Sequence, residues 1–301
     1  MEKKIANFPS KEMLRLHNFY QDKNLFLLDK KNLHSAMELR PYLSKGMPIV
    51  FSSNFSYTNK NEASEKIQKI IGANTCVLVR HGNFHLPKEY SFERKQKQLK
   101  LQDYLDNHFK QKTNEHHYLG NFELSYEQLK ALDIKIPEIY HPKNILTIKL
   151  WIGEKGCITP LHCDGSDNFV FQLLGVKKWT LIPPVNFANL YINEKAGYAP
   201  ADFWCSDVDS GNVDSNLFPK FEYAKKIEII LKPGEALYVP YGWFHYVETI
   251  EDSIMINFWT DNRGLTPAIF NHTFRALLFR SMYHFRRYIN LIQQKIATLK
   301  K

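Results

Sequence analysis

The residues best suited to chemistry in this chain are His162-Cys163-Asp164 and, far downstream, His245. Residues i and i+2 of an extended chain point to the same side, so His162 and Asp164 can face one interior together. Two imidazoles and one carboxylate form a facial set of ligands, which leaves the opposite side of a metal open for a bidentate cosubstrate and dioxygen. This donor set suits non-heme iron(II), so the sequence predicts an iron(II) site at these three residues.

Other interpretations of these residues stay open at this point. His162 and His245 could be core histidines whose polar atoms are satisfied by their neighbours. Cys163 could itself bind a metal, but on a strand its side chain should point away from those of the adjacent residues. A buried, unreactive thiol is therefore the expectation for Cys163.

The second half of the chain consists of short β-prone runs separated by Gly and Pro. We expect strands over 145–152, 169–174, 179–182, 227–231, 236–239 and 253–259. His245 follows Pro240 and Gly242, at the entry to a further strand. Many short strands at close spacing indicate an antiparallel sandwich or barrel, so the predicted fold class is mainly β with flanking helices.

The first half contains fewer elements. Residues 48–51 and 75–79 predict buried strands, and apolar residues at 101, 104, 105 and 109 have the spacing of a helix. Residues 1–45 are expected to be an N-terminal helical element, with one short helix near residues 35–39. The predicted division is thus 1–45, a β-rich body over 46–262, and a C-terminal segment over 263–301.

A polar segment over residues 192–226 interrupts the strands. It contains Tyr198, Phe203 and Trp204 beside several aspartates. Long loops in compact domains are often lids or binding loops. We expect equally that this segment is a surface loop without a functional role.

The C-terminal segment, residues 263–301, carries eight of the nine excess positive charges of the chain. After Thr266-Pro267, which is a helix start signal, apolar residues recur at helical spacing from Phe270 to Leu299. Three expectations compete for this apolar stripe: a homodimer through C-terminal helices, contact with an anionic membrane surface, and packing on the chain's own body. We favour the homodimer.

The cysteines and the lengths of the apolar runs indicate where in the cell the protein is expected to be. The four cysteines are scattered, without a Cys-x-x-Cys pair, and are expected to be reduced thiols. The start of the sequence has no apolar signal core, and no apolar run is long enough to span a membrane. The expected location is cytoplasmic, with peripheral membrane contact left open by the basic C-terminal segment.

Two motif blocks carry a resemblance to a known family. The first runs from Thr159-Pro160-Leu161-His162-Cys163-Asp164 through Asn168, Gly175-Val176-Lys177 and Trp179 to Ile182-Pro183-Pro184. The second runs from Lys232-Pro233-Gly234-Glu235 through Trp243-Phe244-His245 to Asn257-Phe258-Trp259. Together they resemble the JmjC/cupin-like hydroxylases, with order and spacing similar to the asparaginyl hydroxylase branch. The resemblance implies a double-stranded β-helix (jelly-roll or cupin) barrel over 46–262 and 2-oxoglutarate as cosubstrate.

The resemblance also implies roles for five residues. Lys177 would pair with the distal carboxylate of 2-oxoglutarate, and Thr159 and Tyr118 would contact the cosubstrate. Asn168 and Asn257 match polar residues near the metal and cosubstrate. A buried dianion needs a cation and hydroxyl donors, which agrees with these roles. As plainer alternatives, Lys177 could be a strand-end charge and the other residues could serve packing.

The implied reaction is oxidation of a substrate C–H with iron(II), 2-oxoglutarate and O2. Hydroxylation is favoured over demethylation, which uses the same chemistry on an N-methyl group. A protein side chain is the expected substrate, by analogy alone. An anionic glycolipid or lipopolysaccharide sugar and an RNA base remain alternatives, as does a non-catalytic, metal-binding cupin-like protein.

Overall fold

The computed structural model describes residues 29–31, 36–53, 55–82, 96–111, 116–134, 145–193 and 204–260. Their strands, in chain order, are β1 (Asp29–Lys31), β2 (Ile49–Ser52), β3 (Cys76–His81), β4 (Lys97–Lys100), β5 (His117–Glu123), β6 (Ile145–Gly153), β7 (Ile158–Cys163), β8 (Asp167–Leu174), β9 (Lys177–Ile182), β10 (Ile192–Asn193), β11 (Trp204–Ser206), β12 (Ile227–Leu231), β13 (Glu235–Val239), β14 (Phe244–Thr249) and β15 (Ser253–Thr260). The α-helices are α1 (Arg40–Lys45), α2 (Lys60–Ile71), α3 (Leu101–Tyr104) and α4 (Tyr126–Ala131). Turns of 3₁₀ helix lie at Ala36–Leu39, Pro184–Asn189 and Pro219–Tyr223, and a π-helical turn at Leu105–Phe109 extends α3.

The strands form two sheets. The larger sheet has the order β1-β2-β13-β8-β15-β6-β5-β3-β4, and the smaller has the order β10-β11-β7-β14-β9-β12. Among the described strands every pair is antiparallel except β1 with β2. Strands that are distant in sequence lie side by side, as in jelly-roll folds, because the chain crosses repeatedly between the sheets. The predicted mainly β, cupin-like fold class is confirmed.

Two apolar cores hold this architecture together. One lies between the sheets and combines Val170, Leu237 and Met255 of the larger sheet with Leu161 and Leu181 of the smaller one. The other lies on the outer face of the larger sheet, where helices cover it. The central strand β8 therefore has both faces buried, and all eight of its residues are buried. This explains why its sequence lacks the polar–apolar alternation of a half-exposed strand.

The helices cover the larger sheet through residues at helical spacing. Leu101, Tyr104, Leu105 and Phe109 are all fully buried, which confirms the helix predicted from their spacing. Helix α2 begins at the cap residue Asn59, whose side chain accepts from two backbone N–H groups. Helix α4 begins with a reciprocal capping box between Ser125 and Gln128.

The strand predictions agree with the observed elements to within a few residues. The polar segment contributes β10 and β11 to the edge of the smaller sheet, and its residues 194–203 lie outside the described residues. Residues 1–28 also lie outside the described residues. So does the C-terminal segment, on which the dimer and membrane predictions depend. Within the described part of the chain, no helix has the length and apolarity needed to cross a membrane.

Candidate metal and cosubstrate site

Antiparallel pairing of β7 with β14 brings the two predicted histidine ligands together. His245 lies directly opposite His162 in the register, and the centroids of their rings are 4.2 Å apart. Asp164 follows the last residue of β7, two positions after His162, so its carboxylate reaches the same side. A bulge interrupts the pairing just after His245.

The ligand atoms of these three residues converge. One atom from each of His162, Asp164 and His245 lies within 4.8 Å of the other two. The Nε2 of His162 is 3.6 Å from Asp164 Oδ1, and the Nε2 of His245 is 3.6 Å from Asp164 Oδ2. Asp164 and His245 are buried, while His162 is partly exposed. The cluster is thus open on the His162 side.

Hydrogen bonds fix which ring nitrogens carry protons. His162 Nδ1 lies 2.7 Å from the carbonyl oxygen of Pro160, and His245 Nδ1 lies 3.2 Å from that of Trp243. A carbonyl only accepts, so both Nδ1 atoms must be the donors, and the Nε2 atoms of the neutral rings carry lone pairs. The pKa of His245 is lowered to about 4, mainly by burial and in part by the nearby His162, while Asp164 and the hydrogen bond to Trp243 oppose the shift. His245 is therefore neutral near pH 7.

This arrangement fits a divalent cation. When both rings are neutral, two imidazole lone pairs face carboxylate oxygens, and such acceptors gain nothing from one another without a positive charge between them. Asp164 Oδ1 is also buried without a hydrogen-bond partner among the described residues. A buried acceptor in that state is costly unless an ion or a donor satisfies it. The core-histidine interpretation leaves these facing acceptors unexplained.

Lys177, at the start of β9, is the second unusual group. Its side chain is fully buried between the sheets, and its Nζ donates to Thr249 Oγ1 at 3.0 Å and to Tyr118 Oη at 3.3 Å. No carboxylate of the described residues forms an ion pair with it. Burial lowers the pKa of Lys177 to about 8, with Arg80 adding to the shift and Cys157 opposing it. A buried ammonium group of this kind is suited to pairing with an anion.

Tyr118 connects the residues predicted for the cosubstrate. Its hydroxyl hydrogen-bonds to Thr159, and its ring has Lys177 Nζ 5.0 Å and Arg80 Cζ 4.9 Å from its centroid. Burial raises the pKa of Tyr118 to about 12, so the hydroxyl stays protonated. Gly153 lies opposite Tyr118, and a Cβ there would approach the ring to 2.8 Å. The structure therefore brings Tyr118, Thr159 and Lys177 together.

Sequence reasoning missed two members of this group. Thr249 is opposite Lys177 in the β14–β9 register, and Arg80 is opposite Tyr118 in the β3–β5 register. The sequence offered one signal for Arg80, since it is a charged residue directly after the apolar run Cys76-Val77-Leu78-Val79. Thr249 gave none, because only the pairing of the strands identifies it.

The remaining predicted residues lie on the Asp164 side. Asn168 Nδ2 donates to Asp164 Oδ2 at 2.9 Å, and Asn257 Nδ2 donates to Asn168 Oδ1 at 2.9 Å. These hydrogen bonds reach the carboxylate of Asp164 and join the two asparagines to each other, and neither of them reaches Lys177. Cys163 is buried in the core, with Sγ 3.4 Å from the Asp164 carbonyl oxygen, and is not part of the converging ligand group.

Comparison with known proteins identifies the family. A family model described as a cupin-like domain matches residues 34–264. Lysine-specific demethylase 8 of Xenopus tropicalis is 29% identical over 226 residues, which cover 72% of this chain and 49% of the relative. Lysine-specific demethylase JMJ30 of Arabidopsis thaliana is 28% identical over 234 residues, 75% of this chain and 52% of the relative. JmjC domain-containing protein C of Dictyostelium discoideum is 34% identical over 191 residues, 60% of this chain and 43% of the relative.

These matches bear on the sequence-based prediction in two ways. The chain spans about half the length of the curated relatives that it matches. The predicted JmjC/cupin-like resemblance is confirmed, whereas the narrower asparaginyl hydroxylase branch stays a prediction. JmjC oxygenases use iron(II), 2-oxoglutarate and O2, in agreement with the predicted cofactors and with the candidate metal site. The chain belongs to the cupin-like domain family and is related to JmjC-domain oxygenases.

Proposed function

We propose that this chain is an iron(II)- and 2-oxoglutarate-dependent oxygenase that hydroxylates a C–H bond of a protein side chain. The observation that carries the proposal is the convergence of two imidazole lone pairs and one carboxylate at His162, Asp164 and His245. Three protein ligands on one side of a metal leave positions for a cosubstrate and dioxygen. The family supports the same class of chemistry.

Each part of the site has a task in this proposal. His162, Asp164 and His245 would hold iron(II), which with 2-oxoglutarate and O2 supplies the oxidising power for C–H cleavage, releasing succinate and carbon dioxide. Lys177 would neutralise the far carboxylate of 2-oxoglutarate, with Tyr118 and Thr159 as hydroxyl donors. All three lie together in the structure, and Lys177 and Tyr118 are fully buried.

The surrounding protein would strengthen cosubstrate binding and keep the histidine ligands in place. Burial excludes water from the carboxylate end, so the Lys177 charge acts at low dielectric and holds its partner firmly. The backbone carbonyls of Pro160 and Trp243 keep the His162 and His245 rings in the tautomer that ligates through Nε2. Partial exposure of His162 leaves the substrate a direction of approach.

A second candidate, demethylation at a methylated lysine, is favoured by one observation. Two of the relatives are named lysine-specific demethylases. The site would be the same, because oxidation of an N-methyl C–H gives an unstable alcohol that releases formaldehyde. The product therefore distinguishes the two: a stable gain of one oxygen atom means hydroxylation, whereas loss of methyl with formaldehyde means demethylation.

The test is 2-oxoglutarate turnover by the intact chain. Purified protein is supplied with iron(II), 2-oxoglutarate and O2, together with peptide, lipopolysaccharide or RNA fractions, and succinate is measured by NMR. We expect succinate formation that a peptide fraction stimulates and that Asp164→Ala abolishes. Stimulation by the glycolipid or RNA fraction alone would move the substrate to that class. If the chain binds iron but neither binds nor consumes 2-oxoglutarate, the non-catalytic alternative replaces the proposal.

A further inference from the structure

A line of buried hydrogen bonds crosses the larger sheet and ends on Asp164. Trp151 Nε1 on β6 donates to Asn257 Oδ1 on β15 at 2.6 Å. Asn257 Nδ2 donates to Asn168 Oδ1 on β8 at 2.9 Å, and Asn168 Nδ2 donates to Asp164 Oδ2 at 2.9 Å. All four side chains are buried. The line therefore connects three central strands of one sheet to a candidate ligand that follows a strand of the other.

The donor-to-acceptor direction of the hydrogen bonds in this line is fixed by the residues at its two ends. An indole N–H can only donate, and an ionised carboxylate can only accept. Because Trp151 donates to the oxygen of Asn257, the amide nitrogen of Asn257 must face Asn168, and the same reasoning orients Asn168 toward Asp164. Neither amide can turn over without placing two donors or two acceptors against each other in a dry interior, which is costly.

The line makes the two oxygens of Asp164 unequal. Oδ2 accepts from Asn168 and also from Trp259 Nε1 at 3.2 Å. Oδ1 has no hydrogen-bond partner among the described residues. The carboxylate is thus held through one oxygen while the other is left for a further partner.

We propose that Trp151, Asn257 and Asn168 form a positioning relay that holds Asp164 by Oδ2 and presents Oδ1 to a divalent cation. This inference rests on the metal centre of the proposed function and adds residues that are not ligands themselves. Hydrogen-bond partners of metal ligands orient those ligands, and their loss typically weakens metal binding about 10- to 100-fold. Trp151 does not contact Asp164 in this line and would act on it through two intervening side chains, Asn257 and Asn168.

The competing explanation is that these side chains only satisfy one another inside the core. Their loss would then lower the stability of the fold and leave the metal affinity of the folded protein unchanged. The relay instead predicts a change in metal affinity and in coordination geometry, both measured on folded protein. Co²⁺ alone is a suitable probe, since its visible absorption reports the number and arrangement of ligands.

The experiment titrates Co²⁺ into the wild-type chain, Asn257→Leu, Trp151→Phe and Tyr104→Phe. Tyr104→Phe is the matched control, because it removes a buried hydrogen bond, from Tyr104 Oη to the carbonyl oxygen of Ile152 at 2.8 Å, that is not part of the line. Each titration is run well below the melting temperature of the metal-free variant. We expect about tenfold or greater weakening and an altered spectrum in Asn257→Leu, and a smaller change of the same kind in Trp151→Phe.

Each possible result of these titrations either supports the relay or contradicts it. Wild-type affinity and spectrum in folded Asn257→Leu would overturn the relay while leaving the metal centre intact. If Asn257→Leu does not fold, Trp151→Phe decides by the same criterion, since it removes only the first donor of the line. An equal loss of affinity in Tyr104→Phe would also overturn the relay, because the effect would then follow from the loss of any buried hydrogen bond. Failure of the wild-type chain to bind Co²⁺ would overturn the metal centre, and the relay with it.

Discussion

His162 and His245 lie directly opposite each other on neighbouring antiparallel strands, with ring centroids 4.2 Å apart. Strand pairing therefore sets the spacing of the two imidazoles, rather than a flexible loop. Because β7 and β14 are interior strands of the smaller sheet, each is hydrogen-bonded on both sides, which restrains the backbone of both histidines. This rigidity suits a site that must hold a labile divalent ion through three protein ligands.

Removing any one of the three converging side chains should abolish tight metal binding. His162→Ala, Asp164→Ala and His245→Ala each leave two ligands, which are too few to hold a divalent ion in competition with water. The measurement is an anaerobic iron(II) titration of each folded variant. Cys163→Ala is the control, since Cys163 is adjacent in sequence but outside the ligand group, and it should bind iron like the wild type. Tight binding by one of the three variants would remove that residue from the ligand set.

Loss of the Lys177 charge should weaken 2-oxoglutarate binding far more than metal binding. Removing one partner of a buried ion pair costs about 3–5 kcal/mol, which corresponds to at least a hundredfold in affinity. The measurement compares Kd values for 2-oxoglutarate and for iron in Lys177→Ala. Lys178→Ala is the matched control, because Lys178 is partly exposed and paired with Glu228 at 2.8 Å. Equal 2-oxoglutarate affinity in Lys177→Ala and wild type would assign the carboxylate to another residue.

The affinity for 2-oxoglutarate should fall as the pH rises above about 8. Burial lowers the pKa of Lys177 to about 8, so the free protein loses the ammonium charge in this range. The bound carboxylate requires that charge, so binding at pH 9 should take up protons. Calorimetry in two buffers of different ionisation enthalpy measures this uptake. Lys177→Arg keeps its charge at pH 9 and should show a flatter pH profile; an equally steep profile would contradict the assignment.

The same pKa makes a prediction about stability. The folded pKa of Lys177 lies below the unfolded value of 10.5, so the unfolded chain binds more protons between pH 8 and 10.5. Stability contributed by this residue therefore rises with pH across that window. In the metal-free protein, Lys177→Met should be more stable than wild type near pH 7, with the difference shrinking toward pH 10. A difference that grows with pH would contradict a buried, charged Lys177.

The C-terminal segment carries a prediction from sequence alone. Its apolar stripe from Phe270 to Leu299 is expected to pair with that of a second chain. Light scattering of the full-length chain at micromolar concentration should give the mass of a dimer, and Leu277→Asp with Leu278→Asp should reduce it to a monomer. A monomeric wild type that sediments with anionic vesicles would favour the membrane alternative instead.

The sequence was most informative where one residue constrains its immediate neighbours. The i, i+2 spacing of His162 and Asp164 on a strand, and the apolar spacing from Leu101 to Phe109, follow from backbone periods of 2 and 3.6. Strand register could not be predicted from the sequence, because it depends on partner strands that are distant in sequence and on bulges such as the one after His245. Thr249 beside Lys177 and Arg80 beside Tyr118 were missed for this reason.

The polar segment over 192–226 illustrates the same limit. Cys205 on β11 pairs with His162 on β7, so part of this segment lies against the strand of the candidate metal site. The short run Trp204–Ser206 has no apolar alternation that predicts a strand. Pairing with β7, rather than intrinsic propensity, accounts for its strand conformation.

The central claim is that His162, Asp164 and His245 hold iron(II) with positions left for 2-oxoglutarate. The most direct measurement is the visible absorption of the intact chain mixed anaerobically with iron(II) and then with 2-oxoglutarate. Binding of the keto acid to iron through two oxygen atoms should produce a charge-transfer band that needs all three components and that is absent in Asp164→Ala. Iron binding without any such band, together with no measurable binding of 2-oxoglutarate, would contradict the account.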